Sequence, residues 1–270
     1  MTTTMERSRM STIEPYRGIE GVEVYPLSPA AMRGGLRITI SPDEAPEADQ
    51  ATEEAWASMC KQNSRLYDGP VLSVQGLDAG EGGIASIRAG RDSYKRLVVQ
   101  PAHKTGTELL AVTGVLTARD GHGREWTLLI RRGKGTRIYG NMWELGPSGG
   151  IDLPGLAMTP QAQGPVTIGT AEILDQLKSE MHEEIGRDWP IGVSRAVALV
   201  RDLKACSLDI VVWVELDAPV ETMRPGGSIA DWECAEAKWV RVSGLPDFDR
   251  ENAGEIIAPT RALFRTFGWV

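Results

Sequence analysis

The sequence predicts an α/β fold in which a central mixed sheet carries helices on both sides. Two segments, Ser194–Val200 and Leu208–Leu216, are apolar and rich in β-branched residues, which is typical of strands buried in the middle of a sheet. Leu174–Ile185 carries apolar residues at helical spacing, and Asn252–Phe267 is predicted to be mostly helical, with Pro259 as a kink or a new start. Strands and helices that alternate in this way favour layered α/β packing.

The elements that come before these segments are shorter. A helix is predicted at Ala51–Lys61 and a strand pair at Leu109–Thr117 and Trp126–Arg132, with a turn at Asp120–Gly123 that indicates a hairpin. Further strands are predicted at Gly21–Leu27, Leu36–Ile40, Val71–Gln75, Ile84–Ile87 and Trp239–Val242. We therefore expect an α+β extension over residues 1–105 that packs on a main domain of residues 106–270.

Composition excludes several classes of function. The net charge of −8 and the pI near 5.1 argue against a protein that binds the nucleic-acid backbone. No apolar run approaches the ~18 residues of a membrane span, and Met1–Ser11 lacks the apolar core of a signal peptide. Cys60, Cys206 and Cys234 show neither zinc spacing nor pairing, so free thiols and a cytoplasmic location are expected.

A cluster of acids in one predicted helix is the strongest functional signal. Glu180, Glu183 and Glu184 are spaced i, i+3, i+4, so they share one face beside an apolar stripe. Like charges at this spacing repel by ~0.2–0.5 kcal/mol per pair, and the C-terminal end of a helix is already negative. A divalent cation such as Mg²⁺ would relieve this repulsion, because it prefers carboxylate oxygens. The alternative is a solvated acidic face. The apolar stripe consists of Leu174, Leu177, Met181 and Ile185.

These residues carry a resemblance to a known family. The segment from Glu180 to Gly186, Glu-Met-His-Glu-Glu-Ile-Gly, resembles the second half of the Nudix box, and Trp143–Gly150 resembles its opening strand and glycine turn. The chain departs from the family at the box arginine, which is Ser179 here, and by an insertion at about 151–169. The upstream glutamate of the family has no clean equivalent; the nearest acids are Asp152 and Glu172.

The resemblance implies a Nudix α/β/α sandwich and a site that uses Mg²⁺, with Mn²⁺ as an alternative. It implies metal ligation by Glu180, Glu183, Glu184 and the Gly150 carbonyl, and catalytic roles for Glu183 and Glu184. The general base is left open between Glu183 and an acid of the loop that contains Asp231, Glu233 and Glu236. That loop is otherwise a solvated surface.

The substrate-binding residues are expected just upstream of the acidic helix. The resemblance implies that Arg131 and Arg132 hold substrate phosphates, with Tyr139 beside them as an aromatic contact. Lys134 and Arg137 extend this positive patch, and Trp143 is either a further contact or a core residue. A basic cluster around Tyr94 is either a solvated face or an anion contact; it consists of Arg88, Arg91, Lys95 and Arg96.

The expected function is metal-dependent cleavage of the phosphoanhydride in a nucleoside diphosphate derivative. Residues 63–70 and the Arg/Tyr/Lys segment around Tyr94 resemble the Nudix branch that cleaves UDP-glucose, so a nucleotide-sugar is the expected substrate. The alternatives are an ADP-ribose or dinucleotide pyrophosphatase, an isomerase on the same fold, and a Nudix-fold ligand sensor without catalysis. Ser179 in the arginine position keeps the sensor open. The sequence does not define the oligomeric state, and the resemblance allows a homodimer because dimers are common in the family.

Overall fold

A computed structural model describes residues 13–100, 102–152, 164–225 and 233–270. The predicted insertion at about 151–169 therefore lies partly outside the described residues, and so does Asp231. No helix in the described ranges combines the length and apolar character that a membrane span requires. None of Cys60, Cys206 and Cys234 takes part in a disulfide.

Strands dominate the structure. In chain order they are β1 Tyr16–Ile19, β2 Val22–Pro26, β3 Arg37–Ile40, β4 Pro70–Gly80, β5 Gly83–Ser93, β6 Leu109–Arg119, β7 Glu125–Arg132, β8 Trp143–Leu145, β9 Ser148–Gly150, β10 Val166–Ile168, β11 Ile191–Asp202, β12 Ser207–Leu216 and β13 Cys234–Arg241. The α-helices are α1 Gln50–Gln62, α2 Tyr94–Val98, α3 Thr170–Glu180, α4 Leu245–Glu251 and α5 Ala258–Thr266. Short helical turns lie at Ala31–Gly35, Met181–Ile185, Val220–Thr222 and Val242–Gly244.

Within the described ranges, all thirteen strands join one mixed sheet. The main path runs β1-β2-β11-β12-β6-β4-β5-β3-β10, while β7 and β9 branch from β6, and β8 and β13 pair with β7. The β12–β6 and β3–β5 pairs are parallel and the other pairs are antiparallel. The predicted α/β class with a central mixed sheet is confirmed.

The sheet separates two apolar cores, because alternate residues of a strand point to opposite faces. On β11, Leu199 packs into one core, whereas Ala198 and Val200 pack into the other. Helix α3 covers the first core through Ile173 and Leu177, and α4 and α5 cover the second core. Helices therefore lie on both faces of the sheet.

The N-terminal strands are part of this sheet. Val22–Pro26 pairs along the end of β11, Ala198–Asp202, in an antiparallel register. At the other edge of the sheet, β10 pairs with β3, so a strand at the end of the predicted insertion is bonded to an N-terminal strand.

Two C-terminal predictions need correction. The predicted helix Asn252–Phe267 begins only at Ala258, because Pro259 occupies its first turn, where a missing N–H is tolerated. The strand predicted at Trp239–Val242 begins earlier, at Cys234, and pairs with β7.

The hairpin predicted at Asp120–Gly123 is confirmed: the Asp120 carboxylate accepts hydrogen bonds from the backbone N–H groups of His122 and Arg124.

Candidate functional site

The acidic helix is built in two parts. Helix α3 begins after Gly169, whose N–H donates to the Glu172 carboxylate at 2.9 Å, and it continues into a wider π-helical turn at Met181–Ile185. Gly186 then ends the helix in a left-handed conformation with φ of 67°, which glycine adopts without steric cost. π-helical turns are frequent at functional sites. The Glu172 side chain thus caps the N-terminus of α3.

The buried face of this helix differs by one residue from the predicted stripe. Leu177, Met181 and Ile185 are buried as expected, but Ile173 is the fully buried residue of the first turn, whereas Leu174 is only half-buried. This anchoring turns Glu180 and Glu184 toward the sheet. His182 points outward, where its ring lies 3.2 Å from the exposed Asp188 carboxylate.

A cavity of about 380 Å³ lies between this helix and the sheet. Glu180, Glu183 and Glu184 all line it, opposite strand β9, which contributes Gly149 and Gly150. The structure therefore brings together the four residues for which the resemblance implied metal ligation, namely Glu180, Glu183, Glu184 and Gly150. Other lining residues that matter below are Tyr94, Arg132, Arg137, Tyr139, Glu144, Ser148, Asp202, Asp209 and Glu233.

Each of the three carboxylates has its own hydrogen-bond donor. Gln176 Nε2 donates to Glu180 at 2.8 Å, and Ser179 Oγ donates to Glu183 at 3.0 Å. The backbone N–H of Ser148 donates to Glu184 at 3.2 Å. Ser179, which by the resemblance stands in place of an arginine, therefore contacts one of the three helix carboxylates.

The cavity holds more negative charge than its environment favours. Burial raises the pKa of the Glu180 carboxyl to about 7, and the nearby Glu183 and Glu233 carboxylates add to this rise against the opposing Gln176 hydrogen bond. Burial also raises the pKa of Glu184 well above its usual range, and Glu144 and Glu180 reinforce the effect. A buried carboxylate that is repelled by others gains from a cation nearby.

The donor set fits a hard divalent cation, because it consists of carboxylate oxygens and a backbone carbonyl. Gly149 makes room for one of these carboxylates, because a Cβ at this position would overlap the carboxyl group of Glu180. Among the described residues, no three His, Cys, Asp or Glu side chains already converge as a complete metal-binding group.

The two predicted phosphate-binding arginines lie in different places, because neighbours on strand β7 face opposite sides of the sheet. Arg132 lines the cavity and donates from Nη1 to Glu144 at 2.7 Å. Arg131 is not among the residues that line this cavity; it pairs with Glu255 at 2.9 Å and lies over the Trp143 ring. Trp143 is a core residue, 4% exposed.

Tyr139 and Arg137 come from the loop after β7 and also line the cavity. The Tyr139 hydroxyl donates to Asp202 at 2.7 Å, and burial together with this acceptor raises the pKa of Tyr139. Arg137 Nη2 donates to the Ala205 carbonyl at 2.8 Å. The guanidinium has further N–H groups that can face a ligand.

Three acids that line the cavity were missed from the sequence: Glu144, Asp202 and Asp209. Glu144 is 5% exposed, and burial raises its pKa against the opposing charge of Arg132. Asp209 accepts a hydrogen bond from Thr113 Oγ1 at 2.8 Å, and burial raises its pKa. The available signal was a carboxylate within an apolar strand: Asp209 sits inside the run Leu208–Leu216. Asp152, one of the two upstream acids considered from the sequence, is exposed.

The basic cluster near Tyr94 is largely used in ion pairs. Arg88 pairs with Asp78, Arg96 pairs with Asp92, and Lys95 pairs with both Glu53 and Asp68.

Of the loop acids considered as general base, Glu233 lines the cavity, whereas Glu236 is exposed on β13 and Asp231 lies outside the described residues.

No protein-family model matches the chain, and no curated protein matches it. Solved structures of Nudix proteins are similar to it. RenU, a Nudix hydrolase from M. smegmatis, is 18% identical over 60% of this chain and 88% of its own, with a TM-score of 0.35. The putative Nudix hydrolase Tm1382 is 10% identical over 78% of this chain and 93% of its own, with a TM-score of 0.40. The MutT protein from Methanosarcina mazei Go1 is 19% identical over 60% of this chain and 93% of its own, with a TM-score of 0.31. At these identities and TM-scores, the likeness identifies neither an activity nor a branch of the Nudix family.

Proposed function

We propose that this protein is a metal-dependent hydrolase that cleaves the phosphoanhydride of a nucleoside diphosphate derivative. The observation that carries the proposal is the cavity in which Glu180, Glu183 and Glu184 lie with two guanidinium groups, those of Arg132 and Arg137. The carboxylates outnumber the positive groups in this cavity, so they can bind a divalent metal ion, and the guanidinium groups can bind phosphate. The two together match a substrate that arrives as a metal–diphosphate complex.

The metal ligands in this proposal are Glu180, Glu183, Glu184 and the carbonyl of Gly150, and the cation is Mg²⁺ or Mn²⁺. When bound, such a cation offsets phosphate charge and lowers the pKa of water. Two arginine side chains have the other proposed roles. Arg137 holds a substrate phosphate, while Arg132, already paired with Glu144 at 2.7 Å, keeps that buried carboxylate balanced and faces the same space.

The reaction is an attack of water on one of the two phosphorus atoms. A new P–O bond forms to the water oxygen, the bridging P–O bond breaks, and its electron pair leaves with the departing phosphate. The proton of the water passes to a carboxylate, for which Glu183 and Glu233 are the candidates because both line the cavity. Arg131 has no role in the proposed site, because its guanidinium pairs with Glu255.

The finer proposal names a nucleotide-sugar such as UDP-glucose as substrate, giving a nucleoside monophosphate and a sugar phosphate. It is supported by the resemblance of residues 63–70 and of the Tyr94 segment to the UDP-glucose branch. Tyr139 supports it as well, since an aromatic ring beside the phosphate-binding arginines can contact a base or a sugar.

The test is a substrate panel. The protein is incubated with UDP-glucose, ADP-ribose and NADH in Mg²⁺, in Mn²⁺ and in EDTA, and the products are separated by chromatography. We expect cleavage between the two phosphates in the metal-containing samples only. Binding of these compounds without any cleavage would instead support the sensor function that Ser179 suggested. Cleavage that persists in EDTA would contradict the proposed role of the metal.

A further inference from the structure

The N-terminal part of the chain reaches the candidate site through one aromatic residue. Tyr94 begins helix α2, and its side chain lines the same cavity as Glu180, Glu183 and Glu184. Its backbone N–H is held by the Gly69 carbonyl at 2.8 Å. Arg137 and Glu233, which also line the cavity, are the charged groups that act on its phenol.

Helix α2 is firmly anchored, which fixes the position of this ring. The Lys95 N–H donates to Asp68 at 2.9 Å, and the Lys95 ammonium pairs with Glu53 at 2.7 Å. Arg96 pairs with Asp92 and also donates to the Thr105 carbonyl at 2.8 Å. Leu97 is fully buried. Lys95 and Arg96, which follow Tyr94 in the sequence, therefore hold the helix in place.

The hydroxyl of Tyr94 is left without a protein partner. It makes no hydrogen bond to any residue in the part of the chain that the structure describes, although the ring is partly buried. By contrast, the hydroxyl of Tyr139 in the same cavity donates to Asp202 at 2.7 Å, and that of Tyr25 donates to Glu23 at 2.6 Å. The Tyr94 hydroxyl is therefore available to donate to or accept from a ligand that enters the cavity.

We propose that Tyr94 binds the nucleoside part of the substrate, with its ring against the base and its hydroxyl bonded to a base or ribose oxygen. This assignment rests on the proposed function for the identity of the ligand, and it makes Tyr94 a specificity-determining residue supplied by the N-terminal extension. In this assignment the glutamates handle the diphosphate, and Tyr94 holds the nucleoside in the same cavity. The sugar or other leaving group does not contact Tyr94.

The experiment measures binding directly, so it does not depend on turnover. Isothermal titration gives the dissociation constants of UMP, AMP and glucose 1-phosphate for the intact chain and for Tyr94→Ala, Tyr94→Phe and Tyr67→Ala. Tyr67 is the matched control, because it lies in the same extension but is 77% exposed and does not line the cavity. Thermal melting of each variant shows that the fold is intact.

Loss of a ring that stacks on a base weakens binding about ten-fold. We expect this loss for UMP or AMP in Tyr94→Ala and a smaller loss in Tyr94→Phe, with no change for glucose 1-phosphate or in Tyr67→Ala. For any substrate that is cleaved, KM should rise in Tyr94→Ala while kcat changes little. Unchanged nucleotide affinity in a folded Tyr94→Ala, or no affinity of the intact chain for either nucleotide, would overturn the assignment. Nucleotide binding that depends on Tyr94 without any cleavage would instead overturn only the hydrolase function.

Discussion

Arg132 sits where the charges of the site meet. Its guanidinium bonds to the buried Glu144 and opposes the charge of the buried Glu184. One positive group thus serves two carboxylates, and the pKa of each is still raised by burial. An unbalanced buried carboxylate is unfavourable, so the cation of the proposed function would offset this charge.

The first prediction concerns the two glutamates assigned to catalysis. Glu183→Gln and Glu184→Gln keep the side-chain shape but remove the negative charge, so each should lower kcat by roughly 10²–10⁴-fold on any substrate that is cleaved. Melting temperatures should not fall, because neutralising a carboxylate in this crowded site removes repulsion. The control is Glu81→Gln at the exposed tip of the β4–β5 hairpin. Wild-type rates in both active-site variants would contradict the assignment.

The second prediction concerns pH. The pKa of Glu180 is raised from 4.5 to about 7 by burial, so the folded protein holds this proton more tightly than the unfolded chain does. The resulting stability is fully present below pH 4.5 and is lost as the pH rises through 7. In EDTA, the melting temperature should therefore fall between pH 5 and pH 8, and Glu180→Gln should fall less. Glu184 contributes in the same direction and remains in the variant. Identical pH profiles for the two proteins would refute the prediction.

Single residues show what the sequence could and could not reveal about the site. The three glutamates were found because they lie on one helix at a short, regular spacing. Glu144, Asp209 and Tyr94 come from three distant strands or helices, and only the folded sheet brings them together. Arg131 and Arg132 looked equivalent in the sequence, but adjacent strand residues face opposite ways, and only one of them reaches the cavity.

At the scale of elements, the site depends on how closely strand β9 approaches the acidic helix. β9 pairs with β6 through Ser148, Gly149 and Gly150, and the Glu180 carboxyl group occupies the space beside Gly149 where a side chain would otherwise lie. The Ser148 N–H reaches Glu184 on the next turn of the helix. Gly149 thus lets the helix bring the Glu180 carboxyl group against the backbone of β9.

Gly149→Ala tests this contact. The added Cβ displaces the Glu180 carboxyl group, which is the flexible end of its side chain, so the protein should still fold while one proposed metal ligand moves. We expect the Mg²⁺ concentration for half-maximal activity to rise by roughly 10–100-fold, as when an oriented metal ligand is disturbed. The measurement is a Mg²⁺ titration of the rate, with melting curves for both proteins.

Gly150→Ala is the matched control, because a Cβ there would lie 3.5 Å from Leu109 Cδ1, an ordinary contact, and the backbone carbonyl is retained. Its Mg²⁺ requirement should stay close to that of the unchanged protein. Equal metal requirements in Gly149→Ala and the unchanged protein would show that Glu180 does not act at this position.

Local sequence patterns predicted most of the helices and strands, but they failed where contacts between residues distant in sequence determine the structure. Strands β11 and β12 and helix α1 lie close to their predicted positions, because apolar runs and helical spacing are local features. The π-helical turn at Met181–Ile185 was not foreseen, since nothing in Met-His-Glu-Glu-Ile distinguishes it from an ordinary helical turn. Strand β13 extends back to Cys234 because it pairs with β7, a partner far away in the sequence.

At the scale of the whole molecule, the extension and the main domain share one sheet. The sequence suggested residues 1–105 as a unit that packs on residues 106–270, and this division remains a proposal. Three strand pairs join these two parts of the chain: β2 with β11, β4 with β6, and β3 with β10. Such long-range strand pairing leaves no local trace, so the sequence predicted the strands of the extension without their partners.

The shared sheet predicts that residues 106–270 do not form a stable protein alone. Without β2, the segment Ala198–Asp202 at the end of β11 would expose unpaired backbone groups, and Val22 and Val24 would be missing from the core beneath α5. An exposed edge of an apolar strand invites aggregation. We therefore expect the fragment to lack a cooperative thermal transition and to elute as aggregates in gel filtration. Co-expression with residues 1–105 as a separate chain should restore a soluble 1:1 complex, because the missing partners are then supplied. A fragment 106–270 that melts cooperatively near the temperature of the full chain would show that the N-terminal strands are dispensable, and the extension would then be a true appendage.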